Sequence, residues 1–226
     1  MGSPTLYLDW LILLASVNPS GFGYSLRSIF NKKENKTIDI VSLIYLSLPF
    51  IVMIPVIPLL KKNLYFISFP PIIFYLFALC SVPICILLEY YLNIIYLYLT
   101  AGGRCRRYRR YKGITLHSDW KAGYSAASLL LTGFIAVGEE LIFRQCWFFI
   151  LGKTFSLPAA VIVLITSAIY ALNHSYYGMS TVLAKFASGG IYGILYVVGG
   201  YSILLPVITH ILQNFALILF AGRKNA

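Results

Sequence analysis

The polar positions of this chain come in short clusters between long apolar runs, rather than in the period-two alternation of half-buried strands. The apolar runs lie near 5–24, 38–60, 64–101, 129–151, 157–175, 181–200 and 203–221. Most are close to the ~20 residues that a helix needs to cross a bilayer, so an all-α, polytopic transmembrane helix bundle of about seven spans is expected. The first run is the weakest, because Asn18, Pro19 and Gly21 interrupt it; a re-entrant or interfacial segment is the alternative. The third, about 38 residues long, fits either one tilted helix extending beyond the membrane or two short helices broken near Pro83.

Composition supports this reading. Of 226 residues, 59% are hydrophobic and 11% charged, and the mean hydropathy is +0.81, which excludes a soluble globule. Disorder is excluded by the same balance, and 17 Gly and 4 Cys fit neither collagen nor a disulfide scaffold. Cys80, Cys85, Cys105 and Cys146 show no CxxC spacing and no metal or disulfide signal. The length leaves room for one membrane domain over 1–226 and for no separate soluble one. The N-terminal MGSPTLYLDWLILLASV lacks a basic region and carries Asp9, so it reads as a first span rather than a signal peptide.

Charge sets the orientation. The net charge of +11 comes from 18 Lys and Arg against 7 Asp and Glu; most of the basic residues flank apolar runs, as in cytoplasmic loops facing anionic lipid, and nucleic acid is not an expected partner. Seven spans with the N-terminus outside place Arg27, Lys32, Lys33, Lys36, the run from Arg104 to Lys112, Lys121, Arg223 and Lys224 inside. Only Lys61, Lys62 and Lys153 then fall outside. Splitting the third run would put the two basic clusters on opposite sides, so a single long helix is preferred. No internal repeat is visible, which argues against an inverted-repeat transporter, and Gly189, Gly190, Gly193, Gly199 and Gly200 suit close helix packing.

Ionisable groups inside hydrocarbon are costly and mark function by default. Glu139, Glu140 and Arg144 lie near the middle of the fourth run, in VGEELIFRQ; His174 ends the fifth, in YALNH; His210 and Asn214 lie in the last, in THILQN. Glu140 and Arg144, four apart, can form an intrahelical ion pair, which leaves Glu139, about 100° round the helix, as the unpaired carboxylate. His210 and Asn214 share a face. A carboxylate in apolar surroundings is a competent general base for water, histidine can share that water, and a His with an Asn can stabilise an oxyanion. The bland alternative is a buried ion pair with His and Asn as interhelical hydrogen-bond glue.

These three motifs, EELIFR, YALNH and HILQN, resemble in order and type those of the CPBP family of CAAX-protease and bacteriocin-processing intramembrane endopeptidases, whose pattern is EExxxR, FxxxH and HxxxN or HxxxD. The resemblance covers about 115–222 as a catalytic core and leaves 1–114 as an N-terminal transmembrane region; Tyr170 stands where the family usually has Phe. It implies a peptidase acting near the membrane-embedded or lipidated end of a hydrophobic or lipid-tethered peptide or protein. By position, Glu139 would be the general base, His174 would activate the same water, and His210 and Asn214 would form the oxyanion site. Glu140 and Arg144 would shape the pocket. No cofactor is implied on the glutamate reading favoured here; the alternative is Zn2+ held by Glu139, His174 and His210, although HExxH is absent. The competing functions are a catalytically idle immunity factor or scaffold and a proton-coupled transporter. The expected location is the plasma membrane of a prokaryote, with the site toward the cytoplasmic half.

Overall fold

The computed structural model of the protein describes residues 4–30, 40–60, 67–100 and 125–222. All regular structure among them is helical. Helices α1 (Pro4–Ala15) and α2 (Pro19–Phe30) precede α3 (Ile40–Leu60) and α4 (Ile72–Thr100). Helix α5 (Ala126–Glu140) continues through a π-helical turn, Leu141–Cys146, into α6 (Trp147–Lys153). Helix α7 (Ala159–Leu172), a 3-10 turn at Ser175–Tyr177, α8 (Met179–Val198) and α9 (Leu204–Gly222) follow.

The apolar run at 5–24 is not one helix. It breaks over Ser16–Asn18, and Pro19, whose missing N–H costs nothing at a first helical position, starts α2. The long third run is a single 29-residue helix that passes through Pro83. Among the described residues, four helical stretches are long and apolar enough to cross a membrane: Ile40–Leu59, Ile72–Thr100, Ala126–Lys153 and Met179–Val198. Shorter apolar helices lie at Leu6–Ala15, Ala159–Leu172 and Leu204–Leu219. The basic run at 104–112, most of the other basic residues that set the expected orientation, and Cys105 lie outside the described residues.

The protein is an integral membrane protein whose polarity is arranged accordingly. Along α4, Ile73, Leu76, Phe77, Ile84, Leu87, Tyr91 and Ile95 are exposed at helical spacing, a surface suited to lipid rather than water. The interior holds an apolar cluster around Phe50, Ile142, Phe143, Ile150, Tyr170 and Tyr192, and buried beside it are Glu89, Glu139, Glu140, Arg144, Lys185 and His210. Helix α8 packs on α4 and α7, α9 on α4 and α5, and α3 on α2 and α5.

Small residues permit two of these contacts. A Cβ on Gly138 would lie 2.6 Å from the Phe50 ring, so α5 reaches α3 only without one. On α8, a Cβ on Gly189 would lie 2.9 Å from Tyr170 Cδ1, and one on Gly193 would lie 3.0 Å from Val163. These two glycines, four apart, bring α8 against α7. Helix α1 is held by polar contacts instead: Thr154 donates to Asp9 at 2.6 Å, and Trp147 Nε1 donates to Ser16 Oγ at 3.1 Å.

Candidate active site

Glu139 and Glu140 end α5 where the backbone passes into the π turn, marked by the Trp147 N–H donating to the carbonyl of Ile142 five residues back. Such turns insert an extra residue into the helix and are frequent at functional sites. Adjacent on the helix, the two carboxylates face different surroundings.

Glu140 belongs to the ion pair expected from its spacing. Its Oε2 is 3.1 Å from Arg144 Nε, and both side chains are fully buried. Arg144 also donates to Thr166 Oγ1 at 3.2 Å and to the Gly189 carbonyl at 3.1 Å, which ties α7 and α8 to the π turn. The other oxygen, Oε1, is 2.8 Å from His210 Nδ1 on α9. A carboxylate paired to arginine is an acceptor, so Nδ1 carries the proton and Nε2 points the opposite way.

Glu139 sits between the two histidines. His174 Nε2 is 3.8 Å from its Oε1 and His210 Nε2 is 3.7 Å from its Oε2. Glu139 has no ion pair with Arg144, as helix geometry suggested, but it is held by hydrogen bonds: Asn173 Nδ2 donates to its Oε1 at 3.2 Å and Ser20 Oγ at 3.4 Å. Asn173 also donates to Ser20 Oγ and accepts from the Ser20 N–H, both at 2.9 Å, locking α2 onto the end of α7. The sequence reading assigned no role to Ser20 or Asn173. Asn173 stands inside the quoted YALNH, whereas nothing around Ser20 marks it.

His174 follows α7, where its Nδ1 donates to the Tyr170 carbonyl at 2.9 Å. Its side chain is 12% exposed against 4% for that of Glu139, so the site is approached from this side. Aromatic residues surround the approach: Tyr24 of α2 stacks on Tyr176 at 4.8 Å and its hydroxyl is hydrogen-bonded to that of Tyr177. Burial first, and then the Tyr24 phenol beside it, hold the Tyr177 phenol well above its ordinary range, so that bridge stays neutral.

Glu139, Glu140, Arg144, His174 and His210 therefore come together. Asn214, one turn beyond His210, is half-buried and makes no hydrogen bond to this cluster among the described residues. The neighbouring Gln213 is instead drawn into a second buried network. Gln213 donates to Glu89 Oε2 at 3.0 Å, Lys185 Nζ is 3.6 Å from the same oxygen, and Tyr192 donates to Gln213 Oε1 at 2.5 Å. Tyr192 in turn stacks on the His210 ring with centroids 4.9 Å apart.

The two imidazoles address different oxygens of Glu139. Among the described residues, no three His, Cys, Asp or Glu side chains form a group that could hold a metal ion.

Residues 121–216 match the family model described as type II CAAX prenyl endopeptidase Rce1-like. That segment is similar to the Rce1-like family. The match covers less than half of the chain, runs from just before α5 into α9, and contains all three motifs with Glu139, Glu140, Arg144, His174, His210 and Asn214. It agrees with the CPBP resemblance and indicates a protease. Comparison with curated proteins and with solved structures gives no match. The Rce1-like segment does not contain Ser20 or Glu89, which reach the site and its surroundings from α2 and α4.

Proposed function

We propose that the protein is an intramembrane endopeptidase that cleaves near the membrane-embedded or lipidated end of a peptide or protein substrate, using water activated by Glu139. The observation that carries this reading is a buried carboxylate flanked by an imidazole on each oxygen, at 3.8 and 3.7 Å, inside the Rce1-like segment. Both separations exceed a hydrogen bond, and a water lying beside the carboxylate can meet it and an imidazole together.

Glu139 takes a proton from that water as its oxygen attacks the substrate carbonyl carbon. The carbonyl π bond opens to a tetrahedral oxyanion. Collapse re-forms the carbonyl and breaks the C–N bond, while Glu139 returns the proton to the departing amine. His174, fixed by its Nδ1 donation to the Tyr170 carbonyl, presents Nε2 to the same water. His210 and Asn214 line the oxyanion side: Asn214 turns inward when substrate is bound and donates its amide N–H, while His210, its Nδ1–H held by Glu140 with Arg144, donates there only when Nε2 is protonated. A hydrophobic or lipid-tethered substrate suits this site because it reaches a bundle interior laterally from the bilayer. The site is assigned to the cytoplasmic half of the membrane, on the distribution of Lys and Arg along the chain.

The test compares protein termini in membranes expressing the wild type or Glu139→Gln at matched levels. New termini confined to the wild type are expected and identify substrate and bond. Identical termini, with any phenotype retained by Glu139→Gln, would replace the peptidase reading with a scaffold that binds peptide or partner protein. Exhaustive chelation is expected to leave cleavage by the purified protein unchanged. Loss of cleavage that added Zn2+ restores would instead assign Glu139, His174 and His210 as zinc ligands.

A further inference from the structure

Tyr170 stands where the motif resembled by this chain usually carries Phe, and the structure gives its hydroxyl a partner that Phe lacks. The side chain is fully buried, and its hydroxyl is 3.3 Å from His210 Nε2. The ring lies edge-on between the two imidazoles, with centroids 4.8 Å from His174 and 5.8 Å from His210. Its backbone carbonyl is 2.9 Å from His174 Nδ1.

The donor inventory fixes the proton positions. A carbonyl only accepts, so His174 Nδ1 carries its proton; the Arg144-paired Glu140 only accepts, so His210 Nδ1 carries its proton as well. In the neutral rings both Nε2 atoms are then lone-pair acceptors. Nothing donated by Glu140 or Arg144 reaches Nε2 of His210, and the Tyr170 O–H meets it.

We infer that Tyr170 is a positioning residue for both imidazoles: its carbonyl holds His174 in the Nδ1–H form, and its hydroxyl donates to Nε2 of His210, whose Nδ1–H Glu140 already fixes. The hydroxyl is the part peculiar to this chain. It completes a line from Arg144 through Glu140 and both nitrogens of His210 to Tyr170, and so fixes the angle at which His210 Nε2 faces Glu139. This inference rests on the peptidase reading above.

Tyr170→Phe removes only the hydroxyl and keeps the ring against Gly189 and Phe143. With a cleaved substrate in hand, kcat is expected to fall about tenfold with KM unchanged, the effect of losing one aligned hydrogen bond. In protein labelled with 15N-histidine, with His210→Gln used to assign the signals, the His210 Nε2 signal is expected to shift as its lone pair loses the hydroxyl donor, while the signals of His174 stay. An unchanged kcat, or unchanged His210 signals whatever happens to kcat, overturns the inference. Should Tyr170→Phe not fold, 3-fluorotyrosine at 170 keeps the ring and strengthens the donor; it should shift the same His210 signals, and their failure to move overturns the inference equally. Glu139→Gln run in parallel separates the two readings. If it still cleaves, the assignment of Glu139 as the base fails; if it is inactive while Tyr170→Phe behaves as wild type, only the role of Tyr170 fails.

Discussion

Glu139 is poised by contacts that stop short of neutralising it. Arg144 is committed to Glu140, and the groups that touch Glu139 are the neutral amide of Asn173 and hydroxyl of Ser20. Hydrogen bonds from neutral donors fix the orientation of a carboxylate while leaving it free to accept a proton. Glu139→Gln is accordingly expected to lower kcat by about a thousandfold, within the usual span for a general base, with an unchanged melting temperature in detergent. A variant that melts as the wild type and cleaves within tenfold of it would remove Glu139 from the base role. Asn173→Ala should act differently, because it strips partners from Ser20 and Glu139 at once. A loss of about 1–3 kcal/mol in stability is expected, together with reduced cleavage. Thermal unfolding followed beside single-turnover cleavage checks both; full stability would mean that α2 is held by other contacts.

At the scale of elements, the critical join is α3 against the end of α5. Gly138 precedes Glu139, and Phe50 occupies the space where its Cβ would be. Gly138→Ala should cost about 1–3 kcal/mol by overpacking and displace the carboxylate next to it. Combining it with Phe50→Leu should recover part of both losses, since the overlap lies between these two side chains. Additive losses in a double-mutant cycle of melting temperatures and rates would show that the contact is not the cause. Much of this level was legible beforehand. Apolar length announced the long helices, the i,i+4 spacing announced Glu140 with Arg144, and the late glycines announced the approach of α8 to α7 at Gly189 and Gly193. The partner of Gly138 was not legible, because contact between residues 50 and 138 depends on tertiary placement that no local pattern encodes. The same holds for Ser20, whose sequence surroundings differ little from those of any serine near a helix start. The break within 5–24 was visible in Asn18 and Pro19, but its result, two packed helices, required the partners Asp9 and Ser16 find on α6 and just beyond it.

Across the whole molecule, a second buried polar network joins the region before the Rce1-like segment to the site. Glu89 on α4 and Lys185 on α8 are single charges inside long apolar helices, the signal that singled out Glu139, yet they lie in no motif. Their ion pair continues through Gln213 and Tyr192 to the ring of His210, so α4 bears on the His210 side of α9 although it lies outside residues 121–216. A buried pair gains little over apolar residues of the same shape, but breaking it leaves an uncompensated charge. Lys185→Met should therefore destabilise the protein by about 3–5 kcal/mol, because Glu89 keeps only the Gln213 amide. Glu89→Gln added to Lys185→Met should restore most of that stability, since the glutamine oxygen still accepts from Gln213 and no charge is left behind. If the network serves only to hold α4, α8 and α9 together, the double variant should recover cleavage in step with its melting temperature. If it also sets the plane of His210 through Tyr192, kcat should stay low after stability returns. Melting curves and kcat measured on the single and double variants decide between these roles. Equal stability of wild type and Lys185→Met would contradict both, because the pair would then carry no weight in the fold.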